Sequence, residues 1–174
     1  SEMCIRDRVT VQGVSFAPGL ALWGRPTLTW SFAQANYPAA FASFSSFVNP
    51  VAQAELAALW RAAFARWSEV SGLALVEVAD TPGTADQADI RVGWDNFGNP
   101  PGGQIGNAQS SFTAATRIFF PGTLVRLQDP SVTPLVAGNG GALVYQGTVS
   151  SAYQVMLHEI GHALGLDHSS AVVD

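Results

Sequence analysis

The sequence predicts a single α+β domain, and three observations carry that prediction. Two segments, 51–70 and 151–165, repeat apolar residues at three- and four-residue steps, the period of an amphipathic helix. Several short runs rich in β-branched and aromatic residues lie before and between them, bounded by Gly, Pro and Asn. Finally, 174 residues with 48% hydrophobic and 12% charged composition are enough to bury one core, and neither an internal repeat nor a linker divides them.

The elements follow in order. Residues 9–26 are punctuated by Gly and Pro and are expected to be extended. Thr27-Leu28-Thr29-Trp30-Ser31-Phe32-Ala33 alternates and reads as a strand. Residues 34–50 form a loop. The first helix, 51–70, places Val51, Leu56, Leu59, Trp60, Ala63, Phe64, Trp67 and Val70 on one face, which is read as its core face. Asn49 is its expected cap, Pro50 its first helical residue and Gly72 its stop. Strands are expected at 73–79 and 88–94, separated by a polar turn at 80–87. A loop at 95–103 leads to a short strand at 104–112 and a stronger one at 115–120, closed by Pro121-Gly122. Residues 123–127 are a continuation past the kink, and 128–150 are mostly loop. The second helix, 151–165, is capped by Ser150 or Ser151 and carries Val155, Leu157, Ile160, Ala163 and Leu164 as apolar positions.

Composition removes several function classes. No apolar run reaches the roughly 18 residues of a membrane helix. The net charge is −5, and the eight basic residues, all arginine, are scattered, so nucleic acid is not an expected partner. Cys4 stands alone, which excludes an internal disulfide and a cysteine metal cluster. Residues 1–8 read as a non-native, adapter-derived segment, and residues 9–174 as the domain itself.

The chemistry concentrates at the second helix. All three histidines fall in His158-Glu159-Ile160-Gly161-His162-Ala163-Leu164-Gly165-Leu166-Asp167-His168. His158 and His162 are one helical turn apart and share a face, where two imidazoles can grip one ion. His168 is six residues further, about 240° around a continuous helix, so the chain must break and turn back. Gly165 can make that break in a left-handed conformation. Three histidines with a fourth position open are the ligand set of a catalytic zinc, and Glu159 beside the first ligand is placed to act on a water there.

With the third histidine and the glycine, the motif resembles that of the metzincin zinc endopeptidases. Leu164-Gly165-Leu166 and His168-Ser169 look closest to the matrixin, or matrix-metalloproteinase-like, side, in a bacterial-type form. The resemblance implies a metzincin-like fold: a twisted mixed five-stranded sheet, a long backing helix and an active-site zinc helix, with the C-terminal subdomain largely missing. It also implies His158, His162 and His168 as zinc ligands and Glu159 as general base in peptide-bond hydrolysis by a zinc-activated water. Strand 104–112 would be the edge that pairs with an extended polypeptide substrate. A secreted or extracellular monomer is expected. Three departures accompany the match. No methionine follows Met156, so the domain is read as truncated before the family's methionine turn. No histidine lies in 95–150 to hold a second, structural zinc, and Cys4 lacks the surroundings of a latency cysteine. Calcium is admitted as a further ion, with Asp95 and Asp129 as candidate ligands but no calcium-loop spacing. Two rivals stand beside the enzyme: a non-catalytic zinc- and peptide-binding domain, and a structural module in which Asp167 closes the metal site.

Overall fold

Alternation in Thr27–Phe32 (β3) turns Leu28, Trp30 and Phe32 to one face of a sheet, where all three are buried. The same arithmetic in Ile90–Asp95 (β5) and Thr123–Gln128 (β7) adds Ile90, Val92, Trp94, Val125 and Leu127. Onto this face pack the helices Ala54–Ser71 (α1) and Ser151–Ala163 (α2), and their apolar stripes complete a single large cluster. Trp30 stacks on Phe64 of α1 with ring centroids 4.1 Å apart.

In this computed structural model the residues described are 9–11, 14–18, 21–37, 42–81, 87–98, 104–132 and 151–168. Ala74–Glu77 (β4) and Gly106–Gln109 (β6) complete a five-stranded sheet in the order β4-β3-β5-β7-β6. β6 alone runs antiparallel, and it forms the edge beside α2. The expected mixed sheet, long helix and second helix are thus all present. Two further strands, Val9–Val11 (β1) and Val14–Pro18 (β2), make a hairpin in the stretch expected only to be extended. β2 pairs with Leu166–His168 (β8), setting Phe16 opposite His168.

The first helix keeps its expected core: Leu56, Leu59, Trp60, Ala63, Phe64 and Trp67 are buried. Its ends differ. Asn49 does cap, accepting the N–H groups of Val51 and Ala52 at 3.0 Å, but it caps a separate turn, and regular helix begins only at Ala54. Val51 lies on the outside of that turn, 88% exposed, and Val70 at the far end is also outside the core. Gly72 ends the helix in the left-handed region, as expected.

One predicted strand is corrected. Residues 115–120 form no strand. Ala114–Thr116 turn, Arg117 adopts φ 56°, and its N–H bonds back to Thr113. Only isolated bridges remain, Leu22 to Ile118 and Phe112 to Phe119, and Ile118 and Phe120 are exposed. The segment has strand-like side chains but no neighbouring strand to pair with along its length. The strand lies just beyond Pro121-Gly122, at Thr123–Gln128. Ser150, one of the two expected caps of α2, and most of the loop 128–150 lie outside the described residues, as does Cys4; nothing is described of the Ser151 side chain.

The other face of the sheet carries a small apolar cluster of Ala33, Leu124 and Phe44 under the 42–48 loop, beside buried polar side chains. Arg91, 2% exposed at its side chain, donates from Nε and Nη2 to the two oxygens of Asp80 at 2.7 Å each. Asp80 also accepts Ser31 Oγ and the Gln34 N–H. The polar turn expected at 80–87 therefore begins with a buried, fully engaged carboxylate.

Candidate metal centre

α2 is fastened at two points. Trp67 of α1 donates its indole N–H to Leu157 O at 2.9 Å, just before the first histidine. Trp23 donates to Ala163 O at 2.9 Å, satisfying a carbonyl at the helix end. The helix ends at Ala163, and Gly165 in the turn that follows has a φ of 99°. A Cβ at this position would stand 2.4 Å from Ala21 O, so both conformation and space require glycine. The turn reverses the chain into β8 and carries His168 back toward the helix face.

The result is convergence of all three histidines. Nε2 of His158 lies 2.9 Å from Nε2 of His162 and 3.0 Å from that of His168, and the remaining separation is 3.1 Å. These lie a few tenths of an ångström inside the about 3.3 Å edge of a tetrahedral zinc–imidazole set. Nδ1 of His162 is 2.8 Å from Leu166 O. A carbonyl only accepts, so Nδ1 carries the proton and Nε2 presents its lone pair to the centre. Burial, followed by the neighbouring His162 and His168, lowers the His158 pKa to about 4, and burial also lowers that of His162. Both are neutral at pH 7, the form that ligates a metal. The donor set therefore fits a zinc ion. Among the described residues, the three histidines are the one group of three or more His, Cys, Asp or Glu side chains close enough to share an ion.

Glu159, the next residue along the helix, lines the same cleft against the sheet edge and is 7% exposed. Burial raises its pKa to about 7, against the lowering effect of a hydrogen bond from the Ala108 N–H of β6. The close approach of β6 depends on Gly106, because a Cβ there would meet Glu159 Oε1 at 2.6 Å and Val155 Cγ1 at 2.7 Å. Between β6 and α2 lies a cleft of about 660 Å³ lined by residues 104–108, Gln154, Val155, Glu159 and the three histidines.

Gly106 and Ala108 were not singled out from sequence. Their signal is the alternation Gly106-Asn107-Ala108-Gln109, small residues toward the helix and amides away from it. Asp167, the candidate fourth ligand, instead turns its carboxylate back onto the His168 N–H at 2.7 Å. The calcium candidates are engaged elsewhere: Asp95 with Arg126, and Asp129 with Ser46 and Ser131.

The α+β frame thus brings a histidine triad and a buried glutamate into one cleft under the open edge of a mixed sheet, a donor set suited to a metal. A model of the Matrixin family matches residues 23–173, and the chain belongs to that family. Among curated proteins, the chain is similar to a hatching enzyme of Paracentrotus lividus, 30% identical over 144 residues. The match takes in 83% of this chain and 21% of that protein, so the chain spans about a fifth of its relative's length. Matrixins are metalloendopeptidases, and the family implies zinc and polypeptide substrates. No helix among the described residues is long and apolar enough to cross a membrane.

Proposed function

We propose that this chain is a zinc-dependent endopeptidase domain, with His158, His162 and His168 as the zinc ligands and Glu159 as the general base. The observation that carries the reading is the meeting of three imidazole Nε2 atoms within 2.9–3.1 Å, next to a buried carboxylate in the same cleft. Zinc bound there supplies Lewis-acid polarisation of a scissile carbonyl and lowers the pKa of water. The remaining work falls to the chain. β6 pairs with an extended polypeptide and sets it along the cleft. Glu159 takes a proton from the attacking water and returns it to the leaving amine. Leu166 O holds the His162 ring in the tautomer that ligates. The family supports a secreted protein acting on polypeptides outside the cell, and residues 9–174 act as one monomeric domain.

The test is cleavage of an unstructured protein by the zinc-loaded chain, with a chelator control and Glu159→Ala. Chelator-sensitive cleavage lost in Glu159→Ala is the expected result. One zinc per chain with no cleavage overturns the enzyme in favour of a non-catalytic zinc- and peptide-binding domain.

A further inference from the structure

β6 has four residues and is hydrogen-bonded to the sheet on one side only, by β7. Short edge strands are the elements most ready to fray. Yet this strand forms one wall of the cleft. Its outer face explains how it is held. Asn107 lies opposite Arg126 in register, and Arg126 donates from Nη2 to Asn107 Oδ1 at 2.7 Å and to Gln109 Oε1 at 2.9 Å. Its Nη1 donates to Asp95 Oδ2 at 2.6 Å and to Ser43 O at 3.0 Å. One guanidinium, 12% exposed, thus ties the edge strand to β5, β7 and the 42–48 loop from the face opposite the cleft. A planar fork can serve two amide oxygens and a carboxylate together, which the point charge of a lysine cannot do.

We propose that Arg126 is a positioning residue for polypeptide binding: by gripping Asn107 and Gln109 it holds β6 in the place where an extended substrate pairs with it. The inference rests on the endopeptidase reading above. Asp95 makes the grip rigid by neutralising the guanidinium and fixing its plane.

Arg126→Met, Arg126→Lys and Gln109→Ala in the full chain test this by amide hydrogen exchange and by cleavage kinetics with zinc loaded. Loss of hydrogen bonds to a charged group is expected to speed exchange of the Gly106–Gln109 amides by about tenfold or more in both Arg126 variants, while α1 amides stay unchanged. KM for an unstructured polypeptide is expected to rise by a similar factor, about tenfold, with kcat within about twofold. Arg126→Lys keeps a charge facing Asp95, so it recovers thermal stability without recovering KM. Gln109→Ala, which leaves Arg126 and Asp95 paired, gives a smaller change in the same direction and carries the test if Arg126→Met does not fold. Unchanged exchange at 106–109 in folded variants overturns the proposal. So does an Arg126→Lys protein that recovers KM together with stability, since the charge alone would then suffice. If the parent chain shows no chelator-sensitive cleavage, the endopeptidase reading fails instead, and the exchange result alone decides whether Arg126 holds the strand.

Discussion

Gly106 on the edge strand lies against the Glu159 carboxylate so closely that a single added carbon would stand 2.6 Å from Oε1. The glutamate and the strand therefore occupy their places together. Gly106→Ala is expected to push the carboxylate aside by a fraction of an ångström to an ångström, a displacement that costs on the order of 100-fold in turnover. Zinc content should not change, because the nearest atoms to the added carbon belong to Glu159 and Val155 rather than to any of the three histidines. Steady-state kinetics with metal analysis of the same sample checks this; a loss of metal in step with activity would place the damage at the histidines instead.

Glu159→Gln keeps the volume of the side chain and removes its basicity. Turnover is expected to fall by about 10²–10⁴-fold, the usual contribution of a positioned general base. One zinc per chain should remain. Wild-type turnover in this variant would dismiss Glu159 as the base.

The metal should also stabilise the fold, because it binds three residues that only the folded chain brings together. Zinc at about 100 times its dissociation constant contributes about 2.7 kcal/mol. Chelation is expected to lower Tm accordingly, and His162→Ala should abolish the zinc-dependent part of Tm. A zinc-induced shift that survives His162→Ala would point to ligands other than the triad.

Gly165→Ala faces both a left-handed φ of 99° and the Ala21 carbonyl. It should cost at least about 2 kcal/mol of stability, from backbone strain and displaced packing together. Because the turn aims His168, weaker zinc binding should accompany the loss. Denaturant melts and a zinc titration separate the two effects.

Acid should loosen the sheet through Asp80. Burial alone would raise its pKa, but hydrogen bonds from Arg91, the Gln34 N–H and Ser31 outweigh burial, and the net shift is downward from 3.8. A carboxylate with a lowered folded pKa adds stability in full above its unfolded value, and that stability is lost as pH falls through the folded one. Asp80→Asn should therefore decline less steeply than the parent below pH 4, the slope that remains including Asp129, whose pKa is lowered by hydrogen bonds from Ser131 and Ser46 against the raising effect of burial. At pH 7, Asp80→Ala leaves Arg91 buried and unpaired, at a cost of about 3–5 kcal/mol. Parallel urea melts from pH 7 to pH 3 read both effects.

Much of this molecule could be read from its residues, and the reasons differ by element. Leu56 to Trp67 repeat with a clean helical period because they cover a sheet, so the first helix is plain in sequence. The histidine triad is equally plain, since local spacing and one glycine decide it. The strand at 123–128 was harder to place, because the preceding segment has the better β-forming residues and only pairing partners choose between the two. Arg126 and Asp80 carry no local signal at all. Each owes its role to residues brought together by topology, Arg91 meeting Asp80, and Asp95, Asn107 and Gln109 meeting Arg126.

The two indole rings fastened to α2 give the protein a built-in optical probe. Trp67 reports from one side of His158, and Trp23 from the end of the helix beyond His162. Their emission depends on whether those N–H groups meet a carbonyl or water, so ordering or unwinding of this segment adds to the intrinsic fluorescence beside the core indoles of Trp30, Trp60 and Trp94, with no label and no substrate required.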